Sequence, residues 1–85
     1  MPTLSIFFGV AIQMFWRDHP PPHFHAVHGD HEAQIGLDGT LLNGSLPPRI
    51  LAMVREWAEL NQDGLSKAWE ACSSGHTPQR IRPLV

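Results

Sequence analysis

The chain has 85 residues, eight acidic and six basic, and a formal net charge of −2. This length supports one small core that buries roughly two-thirds of the unfolded surface, with no room for a second. The mild acidity excludes DNA binding by blanket charge, and no apolar run nears the roughly 20 residues that span a bilayer.

Other bulky functions are excluded by motif. There is no dinucleotide-binding βαβ fingerprint, no phosphate-cradling loop ending in Gly-Lys, and no heptad run. Met1-Pro2-Thr3 lacks the basic start and apolar centre of a signal peptide. Cys72 is the single cysteine, so no internal disulfide or cysteine-rich zinc knuckle can form. A reducing cytoplasm is the expected location, with no membrane association.

In chain order, Leu4-Ser5-Ile6-Phe7-Phe8 and Val10 to Trp16 are apolar, partly β-branched runs broken at Gly9. They read as a hairpin with strands over about 3–8 and 10–17, Gly9 supplying the positive φ of a tight reversal. Alternation puts Leu4, Ile6 and Phe8 on one face, and Val10, Ile12, Met14 and Trp16 likewise. Arg17-Asp18-His19-Pro20-Pro21-Pro22 ends the second strand, because consecutive prolines offer no backbone donors.

The next pair of strands, 23–28 and 31–37, has a sharper expectation. A two-residue turn at Gly29-Asp30 sets His28 opposite His31, Val27 opposite Glu32, Ala26 opposite Ala33, His25 opposite Gln34 and Phe24 opposite Ile35. One face then collects Phe24, Ala26, Ala33, Ile35 and Leu37, the other His23, His25, Val27, Glu32 and Gln34. A one-residue slip would mix the two faces.

Asp38-Gly39-Thr40 reads as a turn, Leu41-Leu42 as a short edge strand and Pro48 as a helix start. Ile50, Val54, Trp57, Ala58, Asn61, Leu65, Ala68, Trp69 and Cys72 recur at helical spacing. Asn61-Gln62-Asp63-Gly64 interrupts that stripe, giving helices over 48–61 and 63–73, with one kinked helix as the alternative. Gly75 caps the end. Residues 79–83 read as a last strand, held to a sheet edge by Pro83. The expected fold is α+β: a mainly antiparallel meander of four to five strands, packed on one face by two helices, with a C-terminal edge strand.

Five of the six histidines, His19, His23, His25, His28 and His31, fall within thirteen residues. His23 and His25 are two apart on a strand, so their side chains leave the same face about 6.6 Å apart. Two imidazoles at that spacing can converge on zinc or another divalent transition metal. His19, Asp18, Glu32 and His76 are the candidate further ligands. Extended polyproline would carry His19 about 12 Å from His23, so His19 joins only if the chain turns or a proline bond is cis. His28 faces the other way.

Two other uses of the segment stand beside metal binding. Histidines can shuttle protons on RNA while Arg17 or Arg49 steadies a phosphate, Arg49 standing at a helix start whose amides favour anions. A small sheet with a proline-flanked edge can instead serve as an interaction module without chemistry. Open edges also make a homo-oligomer an expectation. Phe15, Trp16 and Phe24 read as core rather than as base-stacking platforms, and Cys72 reads as core.

The run Met14-Phe15-Trp16-Arg17-Asp18-His19-Pro20-Pro21-Pro22-His23-Phe24-His25-Ala26 resembles domain of unknown function family 4160. The likeness continues at Gly44-Ser45-Leu46-Pro47-Pro48-Arg49, at Val54 to Leu60, at Trp69 and at Arg80-Ile81-Arg82-Pro83-Leu84. The resemblance implies a small prokaryotic protein, at times suspected in toxin–antitoxin-like pairs, with the product of a neighbouring gene as partner. It carries over no catalytic residues. Its recurring His-x-x-x-His-x-His pattern falls on His19, His23 and His25. Pro20 lengthens the usual proline pair, and Asp63-Gly64 replaces a stronger helix former, which favours a break there.

Overall fold

A computed structural model describes all residues, 1–85. Five strands form one antiparallel sheet in chain order: β1 (Thr3–Phe7), β2 (Val10–Gln13), β3 (His23–His28), β4 (His31–Gly36) and β5 (Leu41–Gly44). Two helices follow, α1 (Pro48–Leu60) and α2 (Gln62–Ser73). The architecture is α+β, as expected. Neither helix is long and apolar enough to cross a membrane.

The β3–β4 hairpin has the expected register at every pair, from His28↔His31 to Phe24↔Ile35, and closes on Gly29 at φ +58°. Phe24, Ala26, Ala33 and Ile35 are buried together with Val54, Trp57, Leu65 and Cys72 of the helices. Trp57 is the hub of this core: its ring centroid lies 5.6 Å from that of Phe7 and 5.7 Å from that of Phe24. Its Nε1–H donates to the Arg82 carbonyl at 2.8 Å, fixing the C-terminal tail against α1.

The first hairpin departs from simple alternation. Its register shifts between Thr3 and Ser5, and this bulge reverses the parity of the rest of β1. Ser5 and Phe7 therefore join Leu4 inside, while Ile6 and Phe8 are exposed. Phe8 occupies the turn itself, at φ +49° beside Gly9 at +75°. Val10, Ile12 and Met14 are buried as expected, but Trp16 is exposed, because the strand has already ended.

β2 stops at Gln13 rather than 17 because the chain leaves the sheet to dock on the end of α2. The Arg17 N–H donates to the Cys72 carbonyl at 2.9 Å, and Trp16 Nε1–H donates to the His76 carbonyl at 3.2 Å. Gly75, at φ +78°, lets α2 finish in a left-handed turn: its N–H reaches Cys72 and that of His76 reaches Ala71, the paired bonds of a Schellman cap.

The helices are two, divided at Asn61, whose φ of −126° takes it out of the helix. Gly64 lies inside α2, not at the break, and Ile81 packs against its bare Cα; a Cβ there would lie 3.4 Å from the Ile81 side chain. The C-terminal segment expected as a strand over 79–83 runs beside β1 but forms no ladder. It makes one backbone bond to that edge, Ile81 N–H to the Leu4 carbonyl at 2.7 Å, and Pro83 has no N–H to extend it.

Candidate metal centre

The path of residues 14–22 decides the surroundings of the β3 histidines. Having left the sheet at Gln13, the chain turns through Arg17, at φ +53°, and comes back along β3. The segment is not the extended spacer its prolines suggest: the Pro21 carbonyl lies 2.7 Å from His23 Nδ1. His19 lies near His23, with ring centroids 6.0 Å apart.

Phe24 points into the core, and His23 and His25 point together to the other side, their ring centroids 5.2 Å apart. That much follows from the register. Their surroundings do not: instead of forming an open polar surface, both side chains are buried, 3% and 6% exposed. Phe15 stacks flat on His25, centroids 4.1 Å apart and planes 7° from parallel. Trp69 of α2 lies against His23, centroid to centroid 5.5 Å. The returning loop and α2 thus cover rings that a flat sheet would leave in water.

Asp18 is the third member. Its Oδ2 lies 2.9 Å from His23 Nε2 and 3.4 Å from His25 Nε2, and the three potential donor atoms all fall within 4.8 Å of one another. Its Oδ1 accepts the His19 N–H at 2.8 Å and lies 3.1 Å from His19 Nδ1. Burial pushes the Asp18 carboxyl up. The His19 amide, the His25 ring and the charges of His23 and His19 outweigh that push and hold it below its ordinary 3.8. The carboxylate is therefore ionised where it meets the imidazoles.

The outer ring nitrogens define what the inner ones can do. His23 Nδ1 lies 2.7 Å from the Pro21 carbonyl, which only accepts, so Nδ1 carries a proton. A neutral His23 then presents the bare Nε2 lone pair to an anionic oxygen 2.9 Å away. Such an arrangement is stable only with a cation between the two atoms: a second proton or a metal ion. His25 Nδ1 is buried without a hydrogen bond, and Glu32 Oε2 at 3.5 Å is the oxygen facing it. Backbone carbonyl behind one histidine and carboxylate behind the other is the outer-shell pattern that orients imidazoles toward metals.

The candidate residues thus separate. Asp18, His23 and His25 converge, Glu32 stands behind His25, and His19 flanks Asp18 on the solvent side, 84% exposed. Arg17 forms no ion pair with Asp18; its guanidinium lies against Gly75, beyond the C-terminal end of α2, where a cation is favoured. Arg49 is exposed in the first turn of α1 and forms no ion pair. His76 belongs to the cap of α2. His28 Nδ1–H donates to the Gly9 carbonyl at 3.1 Å and braces the first turn. Cys72 is buried beside Met14, with its thiol pushed up by burial, and is core as expected.

Phe15, Trp69 and the Pro21 carbonyl were not legible as parts of this centre. Each is brought to it by the loop path and the docking of α2, which leave no periodic signature in the chain.

A small α+β domain with a buried His₂Asp cluster is the class that fold and site define. Residues 9–70 match the family Domain of unknown function (DUF4160), and the chain belongs to that family. The matched span contains Asp18, His23, His25 and Glu32; the likeness drawn at Arg80 to Leu84 lies outside it. Comparison with curated proteins and with solved structures gives no match.

Proposed function

We propose that this protein is a divalent-metal-binding domain, with Asp18 Oδ2, His23 Nε2 and His25 Nε2 as ligands and zinc as the metal best suited to them. The observation that carries the proposal is the meeting of an ionised carboxylate oxygen with two buried imidazole nitrogens, one of which has its proton committed to the Pro21 carbonyl. Two imidazoles and a carboxylate are an established zinc donor set. Zinc held by these three residues would have one tetrahedral position left for a further donor.

The arrangement favours metal over direct phosphate binding by arginine. Neither Arg17 nor Arg49 is paired with the cluster, so its anionic member stands among imidazoles without a guanidinium to balance it. The protein's own part is to cover the two rings with Phe15 and Trp69 and to hold His23 in one tautomer through the Pro21 carbonyl.

X-ray absorption at the zinc edge, on the untagged full chain loaded with one equivalent, tests the reading. Imidazole scattering with first-shell nitrogen and oxygen at about 2.0–2.1 Å is the expected result. Zinc lost on dialysis, together with ¹⁵N NMR showing His23 protonated on both nitrogens, would replace the metal by an imidazolium–carboxylate pair.

A further inference from the structure

We infer that His19 is the fourth protein ligand of this centre and closes its one open side. The inference rests on the metal reading above, since it concerns how that shell is completed.

Burial around the cluster is lopsided. The side chains of His23 and His25 are 3% and 6% exposed and that of Asp18 13%, whereas that of His19 is 84% exposed. The cluster is sealed by β3, Phe15 and Trp69, and opens to water past Asp18, where His19 stands. Closed zinc sites take four protein ligands in a tetrahedron, and the packed part of this one supplies three.

The other potential donors are committed elsewhere. Glu32 faces the far nitrogen of His25, and His76 is held at the end of α2 by its backbone bonds to Ala71 and Trp16. His19 alone lies on the open side. Its Nδ1 is 3.1 Å from Asp18 Oδ1, the oxygen of the shared carboxylate that does not face the other two rings. The side chain makes no other hydrogen bond and is otherwise in water, with its ring centroid 6.0 Å from that of His23, so packing does not oppose a change of staggered rotamer toward the cluster. All four donors then come from residues 18–25, a ligand set that closes locally and needs no rearrangement of the sheet.

Cobalt(II) reports the shell, because tetrahedral cobalt absorbs visible light several-fold more strongly than cobalt with five or six ligands. The full chain, His19→Ala and His23→Ala are each titrated with cobalt(II) and followed by visible absorption, with far-ultraviolet circular dichroism to confirm the fold. The parent chain is expected to give an intense band at one ion per chain. His19→Ala should still bind one ion, but with a pale spectrum and roughly 10–100-fold weaker affinity. Added imidazole should restore the colour by entering the vacated position. His23→Ala should lose binding. A parent and His19→Ala that match in colour and affinity would overturn the role of His19 and leave the metal centre standing. A parent chain that takes up no cobalt would overturn both.

Discussion

Replacing Phe15 by alanine removes the lid of the centre without touching a donor atom. The phenyl ring lies parallel to the His25 imidazole at 4.1 Å and is only partly buried. A fully buried Phe→Ala change costs about 3–5 kcal/mol. A stacked pair contributes about 0.5–1.5 kcal/mol beyond its buried area. With one ring face in contact, about 2 kcal/mol is expected, which lowers Tm by roughly 8–16 °C in a domain of this size. Zinc affinity should fall roughly tenfold or more, because His25 loses the contact that fixes its ring. Phe15→Leu should recover most of the stability, since it keeps apolar area, but not the affinity, since it has no plane to stack. Urea melts give the first quantity and competitive zinc titration the second. A Phe15→Ala protein within about 0.5 kcal/mol of the parent, a change typical of ordinary surface positions, and with unchanged affinity would refute the covering role.

Further outcomes test other contacts. Glu32→Gln keeps shape but removes the charge 3.5 Å behind His25 Nδ1, and zinc affinity should drop roughly tenfold while urea stability of the zinc-free chain changes little. Gly44→Ala drives a Cβ into the Glu32 carbonyl oxygen at a φ of +78°, so amide exchange of β5 should accelerate and stability fall by about 2 kcal/mol or more. Asp38 accepts the Thr40 N–H at 2.9 Å, and bonds from Thr40 hold its carboxyl below the ordinary 3.8. The folded value lies under the unfolded one, so its contribution is complete above about pH 3.9 and fades as pH falls through the folded value. NMR titration of the Asp38 carboxyl should show the low midpoint, and Asp38→Asn should flatten that part of the acid limb.

The β3–β4 hairpin was legible because one glycine fixes the turn and a period of two separates Phe24 and Ala26 from His23 and His25. The helices were legible from a stripe at helical spacing, and their division from Asn61. The inward turn of Phe7 was hidden because a bulge near Thr3 carries no glycine to announce it. The burial of His23 and His25 was hidden for a longer-range reason. It depends on β2 ending four residues early, which follows from hydrogen bonds between Trp16 and Arg17 and a helix end some sixty residues away. The candidate ligands could be named from their spacing, but the group that joins the two imidazoles could be chosen from His19, Asp18, Glu32 and His76 only once the loop path was known.

The central claim is that Asp18, His23 and His25 share one metal ion, and isothermal titration of the untagged, metal-free chain with zinc tests it directly. The account predicts one zinc per chain, with binding abolished in His23→Ala and His25→Ala and weakened as pH is lowered, because protons compete for the same lone pairs. A parent chain that gives no binding heat and takes up no zinc, or a His23→Ala chain that binds it as well as the parent, would contradict the account.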